Sequence, residues 1–481
     1  MEQDRRQSGT YRFNSISFYL NGKARSLDLP PGITTLDLLT KQLHLYGTKC
    51  SCNEGDCGAC TVVIAYPDED NIVYKAINSC LYPAAKLHGK HLITIEGLGT
   101  PQNLHPIQKE LLEYHGTQCG YCTPGFVMSL FALFASITHP DHESIMAALE
   151  GNLCRCTGYQ SISQAAAELS QKHDPASIVP DFCRRVEPKL FNFKQKAGEI
   201  ERTSSSRYLI EHYLQPENLD ELKAQLAKHP DAKLIAGGTD IMVQVNIQRQ
   251  NFSQLIDLGE IAELKQIKRQ GDGIHIGAAV TYSQVMDSDI IKHDLPSLVK
   301  LCRLIASTQI RNFGTLAGNI ANASPIGDSL PLLLVYQTKL LLSSQQEERI
   351  IELQDFFWAY RETALSAAEF IREIIIPLPP QDAFIKTLKT AKRKSVDISS
   401  LASACRINPD GKAMLALGGI AATPVLSKVF TREFSPSADW AALAKKVAAE
   451  FSPLSDVRGS AAYRTQMIIN HILQYREAYH G

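Results

Sequence analysis

The sequence has almost no net charge and no long apolar run. Its 481 residues hold 49 basic and 50 acidic side chains, a formal net charge of −1. Such a balance excludes a broad electrostatic pull toward nucleic acid or anionic membrane, and no Lys/Arg-rich block marks such a partner. The N-terminal "MEQDRRQSGTYRF" lacks the apolar stretch that a secretory signal carries behind its charges. The most apolar run, "GFVMSLFALFASI", is far shorter than the roughly 20 residues that span a bilayer, and reads as a buried helix. The expected protein is cytoplasmic, with neither a membrane nor a nucleic-acid partner.

What the chain does have is cysteine, unevenly placed. Nine of its twelve cysteines fall in the first 156 residues. In a reducing compartment such a density points to metal or redox chemistry rather than disulfides. At roughly 150 residues per domain the length implies several domains. Residues 8–95 read as strands around a cysteine loop: "FNSISFYLNGKARSLDL" is a hairpin turning at Asn21-Gly22, Leu36, Leu39 and Leu43 have helical spacing, and "TVVIAY" is a strand. Residues 96–172 change character to four helices, the first opening at Pro106 and stopping at Gly116. Residues 173–205 show no clean period and hold Pro175, Pro180, Pro188 and a serine run, as a linker does. Strands and helices alternate over 206–378. After the prolines at 377–380 the composition resets into a smaller unit, 379–481, that ends in a helical tail. No segment repeats at a fixed period.

In "KCSCNEGDCGAC" the residues Cys52, Cys57 and Cys60 give C-x4-C-x2-C, and Cys80 follows one strand later. This is the plant-type spacing of a [2Fe-2S] cluster. Gly55 and Gly58 permit the positive φ and close approach that aim backbone N–H groups at sulfur. Structural zinc favours two close cysteine pairs, and only Cys57/Cys60 form one here. Cys50 falls outside the pattern and reads as a spare, half-buried thiol. A second group pairs Cys119 with Cys122 in "QCGYCTPG" and Cys154 with Cys156 in "NLCRCTGY". Both pairs precede expected helices, whose N-termini stabilise thiolates. Taken alone, this group suits zinc or a second iron–sulfur cluster. Cys183, Cys302 and Cys405 are isolated and read as core thiols; His139 and His142 read as solvated.

Farther on, "KLIAGGTDIMVQ" runs a strand into a glycine turn whose consecutive N–H groups can form an anion nest. It is not G-x-G-x-x-G, so a Rossmann site is not expected. "RNFGTLAGNIANASPIGDSLP" is a second loop of small residues.

Together these motifs resemble the xanthine oxidase family of molybdenum hydroxylases, over essentially the whole chain. The resemblance implies an α+β multidomain protein: a β-grasp ferredoxin-like domain, a four-helix [2Fe-2S] domain, an FAD-binding domain of the vanillyl-alcohol-oxidase type and a small α/β C-terminal flavoprotein domain. It implies two [2Fe-2S] clusters, on Cys52, Cys57, Cys60 and Cys80 and on Cys119, Cys122, Cys154 and Cys156. Gln118 matches a residue that touches molybdopterin in a partner domain. FAD contacts are implied at Leu234, Ile235, Ala236, Gly237, Gly238, Thr239, Asp240 and Ile241, and at Thr315, Leu316, Ala317, Gly318 and Asn319. Ile305, Asp328, Ile371 and Lys389 occupy further FAD positions. Tyr360, in "FFWAYRET", is a possible nicotinamide neighbour. The implied partners are a large molybdopterin-binding subunit and NAD+, in a hetero-oligomer such as a dimer of heterodimers. The chain then resembles the small subunit of a bacterial xanthine dehydrogenase, passing electrons from purine hydroxylation through both clusters and FAD to NAD+. Three other readings remain: the same relay serving an aldehyde or another N-heterocycle, a stand-alone NADH oxidoreductase, and a zinc-stapled scaffold.

Overall fold

The turn Asn21-Gly22 sets the first piece of the fold. Both residues have positive φ, +48° and +79°, the two-residue turn whose twist matches that of its strands. It pairs strands Gly9–Leu20 and Lys23–Leu29 antiparallel, from Leu20 opposite Lys23 to Asn14 opposite Leu29. The computed structural model describes residues 9–68, 71–172, 178–184, 198–204 and 209–480.

Long-range contacts divide the chain into two units. The first holds residues 1–215 with 238–257 and 307–313. Its main sheet runs Lys23–Leu29, Gly9–Leu20, His91–Ile93, Thr61–Asp68, Asn71–Asn78. The strand Gly9–Leu20 meets His91–Ile93 in parallel, while Thr61–Asp68 runs antiparallel to both its neighbours. Helical turns from Thr35 to Gln42 cross the gap between the hairpin and the cysteine loop. Four helices follow, Pro106–Glu113, Thr123–Ser136, His142–Leu149 and Gln160–Lys172. They share a core with one face of the sheet: Val63, Ala65, Ala76 and Ile93 from strands, and Phe126, Phe131, Ile145, Ile162 and Leu169 from helices. Most of the "GFVMSLFALFASI" run is buried there, while Ser136 and Ile137 at its end are exposed. No helix among the described residues is long and apolar enough to cross a membrane.

The stretch expected as linker, 173–205, lies partly outside the described residues. Where described, it is more than a connector. Asp181–Arg184 is a helical turn, with the Phe182 ring edge-on to His91 at 5.8 Å. Gly198–Ser204 is a strand, antiparallel to Gly9–Leu20 from Ser15 opposite Gly198 to Gly9 opposite Ser204.

The second unit holds residues 216–237, 258–306 and 314–481. An antiparallel sheet runs Ile267–Gln270, Gly273–Gly277, Phe370–Pro377, Lys339–Ser343, Glu348–Glu352. A second antiparallel sheet, Phe384–Thr390, Leu401–Ile407, Ala413–Gly418, Val425–Leu426, packs its apolar face on the helices Lys428–Glu433, Trp440–Ala449 and Ala461–His480. Leu415, Leu417, Phe430, Trp440, Val447, Ile468 and Ile472 form that core.

Candidate functional site

The first cysteine loop is shaped by three residues with positive φ, Asn53 (+61°), Gly55 (+89°) and Gly58 (+65°). They curl the backbone so that its donors face sulfur: the N–H groups of Glu54 and Cys57 lie 3.5 and 3.4 Å from Cys52 Sγ. The Asn78 amide approaches Cys60 Sγ at 3.9 Å. Cys60 and Cys80 are buried, Cys52 and Cys57 half-buried. The Cys57 thiol donates to Cys52, which holds Cys52 down at about 5 and pushes Cys57 up. The Cys80 thiol donates to Cys60 in the same way, lowering Cys60 and raising Cys80.

The second group sits at two helix starts, as its flanking residues predict. Cys122 directly precedes the helix Thr123–Ser136, and Cys154 and Cys156 lie shortly before Gln160–Lys172. Burial, and then donation to Cys154, push Cys122 up to about 12. Burial works against Cys154, yet it is lowered overall, because Thr157 Oγ1 (3.2 Å) and the N–H groups of Thr157 (3.5 Å) and Cys156 (3.4 Å) all point at its sulfur. Cys156 Sγ stands 3.7 Å from Cys119 Sγ.

These eight sulfurs therefore associate in pairs: Cys52 with Cys57, Cys60 with Cys80, Cys119 with Cys156, and Cys122 with Cys154. All are free thiols. Among the described residues no three or more metal-ligating side chains gather as a single-ion site requires. Two pairs per loop set fit a two-iron cluster, in which each iron takes two thiolates, better than one tetrahedral zinc. Backbone N–H groups aimed at sulfur suit its negative charge.

The two loop sets touch. The Leu153 N–H, one residue before Cys154, donates to the Cys57 carbonyl at 2.9 Å. The Tyr121 hydroxyl donates to the Cys50 carbonyl. Cys50 itself is exposed. The exposed Gln118 bonds through Nε2 to the Cys156 carbonyl at 3.1 Å.

Of the positions expected near FAD, Leu234 and Ile235 end the strand Lys233–Ile235, and Gly238 takes φ +90° just before the helix Ile241–Asn246. Between them lie Ala236, Gly237, Thr239 and Asp240, whose carboxylate accepts from Gln244 at 2.5 Å. Within the second unit, several expected residues are joined by hydrogen bonds. Lys389 Nζ reaches Asp328 at 2.7 Å and the Leu304 carbonyl, next to Ile305, at 2.9 Å. Ser399 holds the other Asp328 oxygen at 2.5 Å. Thr315 caps the helix Leu316–Ala321 by accepting from the Gly318 N–H at 3.0 Å; a Cβ at Gly318 would lie 2.8 Å from that hydroxyl. Asn319 Oδ1 accepts from Ser329 at 2.7 Å. The helix packs on the strand Phe370–Pro377, which carries buried Ile371. Ala317 and Gly318 at the start of that helix carry little side chain, which suits the close approach of a flavin's pyrophosphate. Tyr360 stands apart, exposed beside the short hairpin Phe357–Ala359 and Glu362–Thr363, with the Arg361 guanidinium 5.9 Å from its ring centroid.

Sequence reasoning missed the side chains that brace these loops. Asn246 donates to the carbonyls of Cys80 (2.8 Å) and Asn53 (3.2 Å), tying the separate stretches that carry the first thiol set. Asn152 donates to the Gly58 carbonyl at 3.0 Å. Neither has a local signal, because each acts on residues far away in sequence.

Four family models match in order. Residues 18–85 match a 2Fe-2S iron–sulfur cluster binding domain and 94–167 a [2Fe-2S] binding domain. Residues 205–379 match the FAD binding domain in molybdopterin dehydrogenase, and 386–477 the CO dehydrogenase flavoprotein C-terminal domain. Xanthine dehydrogenase of Emericella nidulans is 32% identical over 86% of this chain and 34% of its own length. Xanthine dehydrogenase/oxidase of Mus musculus is 33% identical over 82% and 33%. The chain thus spans about a third of the curated relatives it matches. Among solved structures, a carbon monoxide dehydrogenase chain from Hydrogenophaga pseudoflava matches at TM-score 0.53 and 26% identity, covering 56% of this chain and 98% of that one. A chain of quinoline 2-oxidoreductase from Pseudomonas putida 86 matches at TM-score 0.52 and 25% identity, covering 56% and 95%. With two [2Fe-2S] domains, an FAD-binding domain and a C-terminal flavoprotein domain in this order, the chain belongs to the xanthine oxidase family of molybdenum hydroxylases, as that family's iron–sulfur and flavin part.

Proposed function

We propose that this chain is the electron-transfer part of a xanthine dehydrogenase, taking electrons from a molybdopterin-bearing partner subunit and delivering them to NAD+. The observation that carries the relay is the contact between the two thiol sets, with Leu153 beside Cys154 bonded to the carbonyl of Cys57. When bound, the clusters supply one-electron transfer and FAD supplies the exchange between one- and two-electron chemistry.

The chain's own residues do the rest. Cys52, Cys57, Cys60 and Cys80 hold one cluster; Cys119, Cys122, Cys154 and Cys156 hold the other. The N–H donors on Cys52 and Cys154 stabilise thiolate charge there. Cys119 and Cys156 are exposed, and exposed Tyr121, Leu153 and Tyr159 lie close to them in sequence. That combination suits electron entry at a docked partner, with Gln118 offering an amide to its pterin. Residues 234–241 and 315–319 are the proposed flavin contacts, and Lys389 holds Asp328 and the carbonyl next to Ile305. Exposed Tyr360 is a surface for nicotinamide.

The test is the purified chain, then its complex with the partner. Flavin and roughly four irons per chain, with xanthine-dependent reduction of NAD+ by the complex, are expected. A colourless zinc protein, or a chain with neither iron nor flavin, overturns the relay. A second reading keeps the relay and changes the substrate, favoured by the likeness to carbon monoxide and quinoline enzymes. A complex that oxidises an aldehyde or another N-heterocycle but not xanthine decides for it.

A further inference from the structure

The segment Ser307–Phe313 lies, by sequence, inside the stretch that matches the flavin domain. Its long-range contacts group it instead with the two cluster-bearing domains, and almost every residue in it grips one of them. Thr308 Oγ1 donates to the Ala147 carbonyl at 2.8 Å. Arg311 pairs with Glu150 at 2.8 Å. Both partners belong to the helical domain. Asn312 donates to the Ala76 carbonyl at 2.7 Å, and Phe313 meets the Tyr82 ring edge-on at 5.6 Å. Those partners belong to the ferredoxin-like domain.

Gln309 grips the helical domain. It is fully buried, and its Nε2 donates to Ser129 Oγ and to Asn152 Oδ1, both at 2.9 Å. Asn152 in turn donates to the Gly58 carbonyl, between Cys57 and Cys60. The chain from Gln309 through Asn152 thus ends on the first thiol loop, while Asn152 itself lies two residues before Cys154. The seam around it is built of glycine. A Cβ at Gly58 would lie 2.3 Å from the Gly151 carbonyl, one at Gly125 2.4 Å from the Gly58 carbonyl, and one at Gly151 2.0 Å from Gln309 Oε1. Beside it, Ile310 lies against the first loop: a Cβ at Gly55 would stand 2.9 Å from its Cδ1.

We propose that Ser307–Phe313 is a clamp that locks the two cluster-bearing loops at one separation, with Gln309 as the positioning residue. This rests on the relay reading above. A glycine seam allows the loops to approach, and the buried Asn152 amide, which bonds the Gly58 carbonyl and is itself held by Gln309, fixes how closely they do. Electron exchange between the loops then depends on a segment that holds no ligand and belongs in sequence to a third domain.

The test uses the full chain with its clusters in place, reduced by dithionite and read by low-temperature electron paramagnetic resonance. Gln309→Met keeps the shape and removes the donors. The expected result is unchanged iron content and unchanged g-values for each cluster, with loss of the resolved spin–spin splitting between them. Native splitting in Gln309→Met overturns the clamp. If that variant loses iron, the milder Thr308→Val decides: altered splitting with full iron supports the clamp, and native splitting overturns it. Absence of iron from the wild-type chain overturns the relay reading and leaves the variants unnecessary, so the two failures are distinct.

Discussion

Lys86 is a buried cation in the first unit. Its ammonium is buried and lies 2.6 Å from Asp257, which also accepts from the Tyr213 hydroxyl at 2.7 Å. A buried pair is costly to assemble, and removing one partner leaves a charge without compensation. Asp257→Asn is therefore expected to destabilise the protein by about 3–5 kcal/mol, read as a fall in the chemical-denaturation midpoint. The pair is invisible in sequence, since its members stand 171 positions apart. The cysteines are the opposite case. C-x4-C-x2-C spacing carries its meaning locally, and it leaves Cys50 spare. Cys50→Ser is expected to keep full iron and an unchanged visible spectrum, whereas Cys52→Ser loses iron at the first loop. Iron analysis of the two variants side by side checks this; equal losses contradict the assignment.

At the scale of elements, patterns of turn and period were readable where a segment's own side chains decide its structure. Asn21-Gly22, the Pro106 helix start and the strand from Thr61 all follow such rules. The strand Gly198–Ser204, "GEIERTS", has the letters of a linker, because nothing apolar alternates with polar in it. It is a strand through its backbone ladder to Gly9–Leu20, and such a ladder leaves no mark in side-chain pattern. The C-terminal helix Ala461–His480 shows how a long element is pinned. His471 bonds to Thr390 Oγ1 at 2.8 Å and to Ser403 Oγ at 2.7 Å, one residue on each of two strands. Burial holds its pKa down at about 4, against 6.5 ordinarily. His91, which accepts from the Gly22 N–H at 2.9 Å, is lowered to about 4 by the same cause. As pH falls below 6.5 the unfolded chain gains protons that these folded histidines refuse, so stability drops. The loss is complete once pH passes the folded value near 4. Each site is expected to contribute on the order of 3 kcal/mol at that limit. His471→Gln should flatten the slope of melting temperature between pH 6.5 and 4; an unchanged slope would place the acid sensitivity elsewhere.

For the whole molecule, the order of domains in sequence and the grouping of contacts differ. Sequence composition divides the chain near 172 and 205, and the matched families follow the same order. Yet residues 238–257 and 307–313 group with the cluster domains. They bring Asp257 to Lys86, Asn246 to the carbonyls of Cys80 and Asn53, and Gln309 to Asn152. None of this was legible in advance, because a side chain that crosses a hundred residues of sequence obeys no local period. It has a consequence for dissection. A fragment of residues 1–215 contains all eight proposed ligands and both matched iron–sulfur domains. It also leaves Lys86 without its carboxylate and Asn152 without Gln309. The first loss alone costs about 3–5 kcal/mol, a large share of the roughly 5–15 kcal/mol that holds a domain folded. The fragment is expected to take up less iron than the full chain and to be cleaved faster by protease, with early cuts near Lys86. Lys86→Met in the same fragment removes the stranded charge and should recover part of the difference. A fragment with full iron and the protease resistance of the intact chain would mean that the two inserted segments add nothing to the stability of the cluster domains.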